Sequence, residues 1–200
     1  PGRGRAFSMA LAASKEALRM AREMPGWEKS ALVLSTTKAE MEAFERLVAR
    51  PDAQGDRNYN PHALARSLAR ELGLSGPVLA VSSACASGLV AIAQAERLIA
   101  RRYAERALVV GVDALTDFIL AGFSCLAAMS KRPCRPYDQA RDGLSLGEGA
   151  GALLVSARES VRGDVLAYIA GSGVSNDAVH ITAPSRTGDG LAEAARTAMR

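Results

Sequence analysis

Apolar residues recur at helical spacing early in the chain, at Phe7, Ala10, Leu11, Ala17, Leu18 and Ala21, and predict an amphipathic helix over residues 6–22. Glu23-Met24-Pro25-Gly26 ends it. Ala31-Leu32-Val33-Leu34 reads as a buried strand, followed by Ser35-Thr36-Thr37. A second helix, about 38–49, stops before Pro51, and Pro51 to Asn60 reads as a loop. Asn60-Pro61 supplies an N-cap and a first helical position for a helix running to Leu72-Gly73. Pro77 to Val81 is the next strand, and residues 86–100 the next helix. A strand at 106–112 follows, then a mostly apolar helix at 117–129 and a long polar loop from Lys131 to Gly143. Leu144 to Val155 reads as two strands or as one strand broken by glycines. A last strand is expected at Val165–Ala170, then a loop from Ser175 to Thr182 and a terminal helix from Leu191 to Arg200. Strands alternating with helices predict a largely parallel sheet covered on both faces.

The helix at 86–100 is unusual. Its first half is apolar all round, and its charges wait until Glu96, Arg97, Arg101 and Arg102, the pattern of a helix that starts inside a core. Cys85 therefore falls at a tight strand-to-helix turn. Unpaired N–H groups and the macrodipole there favour thiolate over thiol, and the same groups can hold an oxyanion. Small neighbours (Ala84, Ala86, Ser87, Gly88) admit a thin substrate. Spacing alone leaves two readings open: a nucleophile, or a small buried cysteine packed in a helix cap.

Composition narrows the field. Hydrophobic residues make up 48% of the chain and charged residues 23%, an ordinary globular balance. Aromatic residues are 4%, too few for base-stacking platforms, and the net charge of +4 has no long basic run, which argues against nucleic acid. Three widely spaced cysteines make neither a disulfide framework nor a metal site, and a reducing, cytoplasmic setting fits them. No stretch reaches the ~18 apolar residues of a membrane span, and no signal peptide is visible. The chain opens at Pro1 close to a helix and closes inside a helical pattern without a stop signal, so it reads as a fragment or the visible part of a longer chain.

Several stretches together resemble the β-ketoacyl-acyl carrier protein synthases, condensing enzymes of the thiolase superfamily. They are Gly76-Pro77, Ser83-Ala84-Cys85-Ala86-Ser87-Gly88, Gly122-Phe123, Met129-Ser130, Arg135-Pro136-Tyr137-Asp138, Arg141-Asp142-Gly143, Leu146 to Gly151, and Asp177-Ala178 with His180 and Thr182. The resemblance runs from about residue 61 to the end, and Asp113-Ala114-Leu115 with Cys134 leans toward the elongation-type branch. It implies an α/β thiolase-like fold of helix, sheet and helix layers. Residues 1–200 would be the N-terminal half of the condensing domain plus the start of the C-terminal half.

The resemblance also implies a chemistry. Cys85 would accept an acyl group from the phosphopantetheine arm of an acyl carrier protein, and its own N–H would serve the oxyanion hole. The carbanion left by decarboxylation of a malonyl thioester would then attack the acyl enzyme. No cofactor and no metal are implied. The implied partners are a carrier protein and a second subunit, as a homodimer or a heterodimer with a related synthase, the strand at 106–112 pairing across the two-fold axis. The family needs two histidines from its second half, and neither His62 nor His180 sits in such a motif.

Ala84, Phe123 and His180 are the expected substrate-pocket residues. Phe123 is set against plain core packing, and His180 against a plain loop role. His62 reads as a solvent-facing helix residue, Cys125 as core and Cys134 as loop packing. Arg101, Arg102, Arg106, Lys131, Arg132 and Arg135 are candidates for meeting an acidic carrier protein if they cluster. The run Gly147–Gly151 lacks the Lys-Ser/Thr ending of a phosphate loop. The rival functions are a non-catalytic chain-length-type partner, against which the cysteine counts, a different cysteine acyltransferase, and a structural module with an inert thiol.

Overall fold

Ala31–Ser35 (β1) is buried along its whole length, and its side chains alternate between two cores. The computed structural model describes residues 4–21, 25–50, 59–161, 164–180 and 183–200. In β1, Leu32 and Leu34 face one core while Ala31 and Val33 face the other. Arg106–Asp113 (β3) repeats the pattern, with Leu108, Val110 and Val112 on the first face and Ala107 and Val109 on the second. A strand buried on both faces carries an unbroken apolar run, which is why neither reads as amphipathic.

β1 lies between Val78–Val81 (β2) and β3, parallel to both. Gly149–Ser156 (β4) joins the far side of β3 antiparallel, giving the order β2-β1-β3-β4. Helices Arg5–Ala21 (α1) and Pro61–Leu72 (α3) cover the first face. Ser87–Ala100 (α4) covers the second, Ala91 and Ala95 bringing it close to the sheet. These are three α/β/α layers. Met41–Ala49 (α2) and Asp117–Cys125 (α5) pack on each other, and Asp189–Ala198 (α6) follows near the end.

Several expectations need correction. The strand at 106–112 is interior, flanked by β1 and β4, so it is not available to pair across a two-fold axis; β2 and β4 are the edges. Burial on both faces fits an inner strand as well as an interface strand. Leu144 to Val155 yields the single strand β4, and Leu144 makes only an isolated bridge to Met129. Residues 165–170 form no strand, and Leu166 and Tyr168 are exposed. No described strand lies beside them to take their hydrogen bonds. The helix expected to reach 129 ends at Cys125, because Ala127 adopts a left-handed φ of 51°. Its amide and that of Ala128 donate to Ser124 O and Phe123 O, a Schellman stop without glycine. Most of the loop at 51–60, Glu23-Met24 and Thr182 lie outside the described residues.

Two caps fix the first layer. Asn60 Oδ1 accepts from the Ala63 amide at 2.8 Å, with Pro61 at the first helical position. At α1 the cap comes from afar. The buried Glu40 accepts from the Phe7 amide at 2.6 Å, placing a carboxylate at the positive end of the helix. Gly4 permits this: a Cβ there would sit 1.5 Å from Glu40 Oε2. Glu40→Ala is expected to lower unfolding free energy by about 1–2 kcal/mol. Glu40→Gln, which keeps an acceptor, should cost less; urea denaturation followed by circular dichroism checks both.

Candidate active site at the Cys85 turn

β2 ends at Val81 and α4 begins at Ser87, so five residues turn the chain between them. Ala84 takes a left-handed φ of 46°, a conformation that costs a residue with a Cβ about 1 kcal/mol or more. Its methyl is the smallest side chain to bear that cost. Hydrogen bonds within the turn hold it. The Ala86 amide donates to Ser83 O and the Ser87 amide to Ala84 O, each at 3.1 Å. The buried Ser87 hydroxyl accepts from the Ser83 amide at 2.7 Å and donates to Ala84 O at 2.6 Å. Cys85 stands at the crest, exposed.

This corrects part of the expectation. The opening of α4 is not sealed in a core, since Gly88 is exposed and Leu89 is 76% exposed. The amides of Ala86 and Ser87 are spent inside the turn and do not wait for an oxyanion.

Cys85 opens into a cavity of ≈ 440 Å³. Ala84, Cys85, Ser87 and Gly88 form one wall, and Ser35 and Thr37, at and just beyond the end of β1, form a second. Gly111 to Ala114 closes the end of β3, Ile119 and Phe123 come from α5, and Leu146, Gly147 and Gly149 from the approach to β4. The cavity thus lies at the carboxyl ends of the parallel strands, the usual ligand position in an open α/β sheet. Glycine at 147 and 149 keeps that wall thin.

Ala84, Cys85 and Phe123 are brought together here. His180 is not: it is exposed, is not among the lining residues, and its Nδ1 accepts from the Ala183 amide at 3.2 Å. His62 is exposed on α3. Cys125, expected in the core, is exposed because α5 has no buried residue, and Cys134 is half-buried. The cationic set is thinner than expected. Arg106 is buried and donates to Pro25 O at 3.1 Å, and Arg135 is engaged by Ala140 O and Asp138. Lys131, Arg132, Arg101 and Arg102 remain exposed.

Ser35, Thr37, Asp113 and Ile119 were not given a place in the pocket from the sequence, although the polar residues closing two apolar strands were a usable signal. No described helix is long and apolar enough to cross a membrane. Among the described residues, no group of three His, Cys, Asp or Glu is placed to hold a metal.

The model of the β-ketoacyl synthase N-terminal domain matches residues 4–160. The chain belongs to the β-ketoacyl synthase family. 3-Oxoacyl-[acyl-carrier-protein] synthase 2 of Staphylococcus aureus is 38% identical over 138 residues, covering 64% of this chain and 34% of the relative. The Vibrio harveyi protein of the same name is 39% identical over 147 residues, covering 68% and 35%. A ketosynthase in complex with its chain length factor, from Xenorhabdus doucetiae, superposes with a TM-score of 0.87 at 28% identity, covering 99% of this chain and 51% of that one. The fold is therefore the thiolase-like fold. The chain spans about a third of the length of the curated relatives it matches.

The loop leading to Leu146 and Gly147 is closed by backbone bonds from Ser130 N to Leu144 O and from Leu144 N to Ala128 O. Gly143, at φ 147°, passes so near that a Cβ would lie 2.5 Å from Ser130 N. The Ser130 hydroxyl, 2.6 Å from Asp142, holds that carboxyl below the ordinary aspartate range; slight desolvation opposes it, and the Lys131 and Asp142 amides and the Arg132 charge assist. A depressed folded-state value strengthens loop closure above the ordinary range, and this is lost as pH falls through the lowered one.

Two outcomes are expected. An NMR titration should place Asp142 below a free aspartate, and Ser130→Ala should return it upward. Ser87→Ala leaves the Ser83 amide without its hydroxyl acceptor and removes one of the two donors to Ala84 O, and should cost about 1 kcal/mol in thermal unfolding while slowing alkylation of Cys85 relative to Cys125.

Proposed function

We propose that this chain is the nucleophile-bearing half of a 3-oxoacyl-carrier-protein synthase, with Cys85 as the acyl acceptor. The observation that carries the reading is the turn itself: an exposed sulfur on a strained, hydrogen-bonded elbow at the mouth of a cavity. The thiolate would attack the carbonyl of an acyl thioester on a carrier protein's phosphopantetheine arm. An acyl–sulfur bond forms at Cys85, and the arm departs as its thiol. A malonyl thioester then loses carbon dioxide, and the carbanion left behind attacks the acyl carbonyl. The Cys85 sulfur leaves, and a 3-oxoacyl carrier protein results. Splitting the condensation in two replaces one hard step with two easier ones.

With the Ala86 and Ser87 amides engaged, oxyanion contact at this turn falls to the Cys85 amide, the donor implied by the family resemblance. Val112, Ala114, Ile119 and Phe123 give the acyl chain an apolar wall. Neither His62 nor His180 lines the cavity, so the histidines for decarboxylation come from residues beyond this half. Lys131 and Arg132 are the cations best placed to meet an acidic carrier protein, being exposed on the loop that leads to the cavity wall. The second subunit implied by the resemblance is a related copy or a chain-length partner.

Incubating the full-length protein with an acyl-loaded carrier protein should give an acyl mass adduct on the peptide carrying Cys85. Cys85→Ser should abolish transfer to that site. An adduct on Cys125 or Cys134 alone, or none, would overturn the reading.

A further inference from the structure

The cavity holds a carboxylate that the proposed reaction does not use. Asp113 is the last residue of β3. Its Oδ1 accepts from Thr36 Oγ1 at 3.1 Å, from the Thr37 amide at 2.8 Å and from Thr37 Oγ1 at 2.8 Å. Three donors on one carboxylate oxygen make charge-assisted bonds, stronger than neutral ones. The two threonines pass the constraint sideways. The Thr36 amide donates to Val81 O at 3.1 Å, and the Thr37 carbonyl accepts from Ser82 Oγ at 3.3 Å. Val81 and Ser82 are where β2 gives way to the elbow. One oxygen on β3 therefore fixes the end of β1, and the end of β1 fixes the base of the turn that carries Cys85.

We infer that Asp113 is a positioning residue for Cys85, acting through Thr36 and Thr37; the inference rests on the acyl-cysteine reading. Strand pairing already holds β1 between β2 and β3 through residues 31–35. The carboxylate acts one step further on, where the ladder has ended and the base of the turn is held by the Thr36 amide on Val81 O and by side-chain bonds. Its loss should therefore displace the sulfur more than it loosens the sheet. A misplacement of about 1 Å can cost about 100-fold in rate.

The test uses the full-length protein and two readouts: acyl transfer to Cys85 from an acyl carrier protein, and iodoacetamide alkylation of Cys85 with Cys125 as internal reference. Asp113→Ala should slow saturated acyl transfer by about 10- to 100-fold with little change in the half-saturating concentration. Thr37→Val should do the same, and Thr37→Ser, which keeps the hydroxyl, should recover most of the rate. Alkylation of Cys85 should follow the same order. Wild-type rates in Asp113→Ala, or equal losses in Thr37→Ser and Thr37→Val, would overturn the inference. Should Asp113→Ala fail to fold, the Thr37 pair decides alone. Should the wild type take no acyl group, the functional reading falls, while the alkylation series still judges Asp113.

Discussion

The site depends on two strands that are dry on both sides. β1 and β3 place Leu32, Leu34, Leu108 and Val110 against α1 and α3, and Val33 and Ala107 against α4, all fully buried. Each of these leucines and valines contributes about 1.5–3 kcal/mol on leaving water. Because the pleat alternates with a period of two, a slip of one residue would exchange the two cores, so the register is held from both faces at once. The ends of the strands are consequently fixed in space. Polar chemistry can be hung on them without being asked to hold the fold together.

What hangs there changes character abruptly. β1 runs from Leu34 into Ser35-Thr36-Thr37, β2 from Val81 into Ser82-Ser83, and β3 from Val112 into Asp113. A buried polar group without a partner is costly, and these groups partner one another. The short hydroxyl side chains reach only neighbouring strands, so their bonds gather the ends rather than splay them. Ser87 does the same inside the elbow, where its hydroxyl serves both a donor and an acceptor of the strained turn. The strain at Ala84 persists because the turn around it is over-determined.

Much of this was legible in the residues. Asn60-Pro61 and Gly73 announced both ends of α3, since a side-chain cap, a fixed φ and a left-handed glycine each leave a compositional mark. The strand-turn-helix around Cys85 was readable from the apolar run Pro77 to Val81 and the helical pattern that follows the small residues around Cys85. The stop of α5 was not, because Ala127 performs a glycine's role without a glycine's signature. The remote cap from Glu40 to α1 was invisible as well: its donor and acceptor are 33 residues apart, and nothing local marks a glutamate as a cap. Asp113 was seen as part of a family motif. Its contact with Thr36 and Thr37 exists only once β1 and β3 are neighbours. His180, drawn toward the site by resemblance, is not among the residues lining the cavity and accepts from the Ala183 amide instead.

The pattern of exposure bears on how such a half-site works. The face covered by α1 and α3 is dry, while the α4 side is covered only in part. Leu153 pairs with Val109, so it points to the α4 side, yet it is 51% exposed because α4 lies chiefly over β1, β2 and β3. Leu89 on α4 and Phe118 on α5 are likewise exposed, and both helices contribute walls to the Cys85 cavity. Apolar surface gathered around a reactive sulfur is seldom left to solvent. Water beside an acyl thioester would hydrolyse it, and would weaken every dipole meant to stabilise the developing oxyanion. Under the acyl-cysteine chemistry proposed above, the open side of the cavity is the side on which a cover against water would sit. The Cys85 turn takes its geometry from strands packed in these two cores, not from the open side.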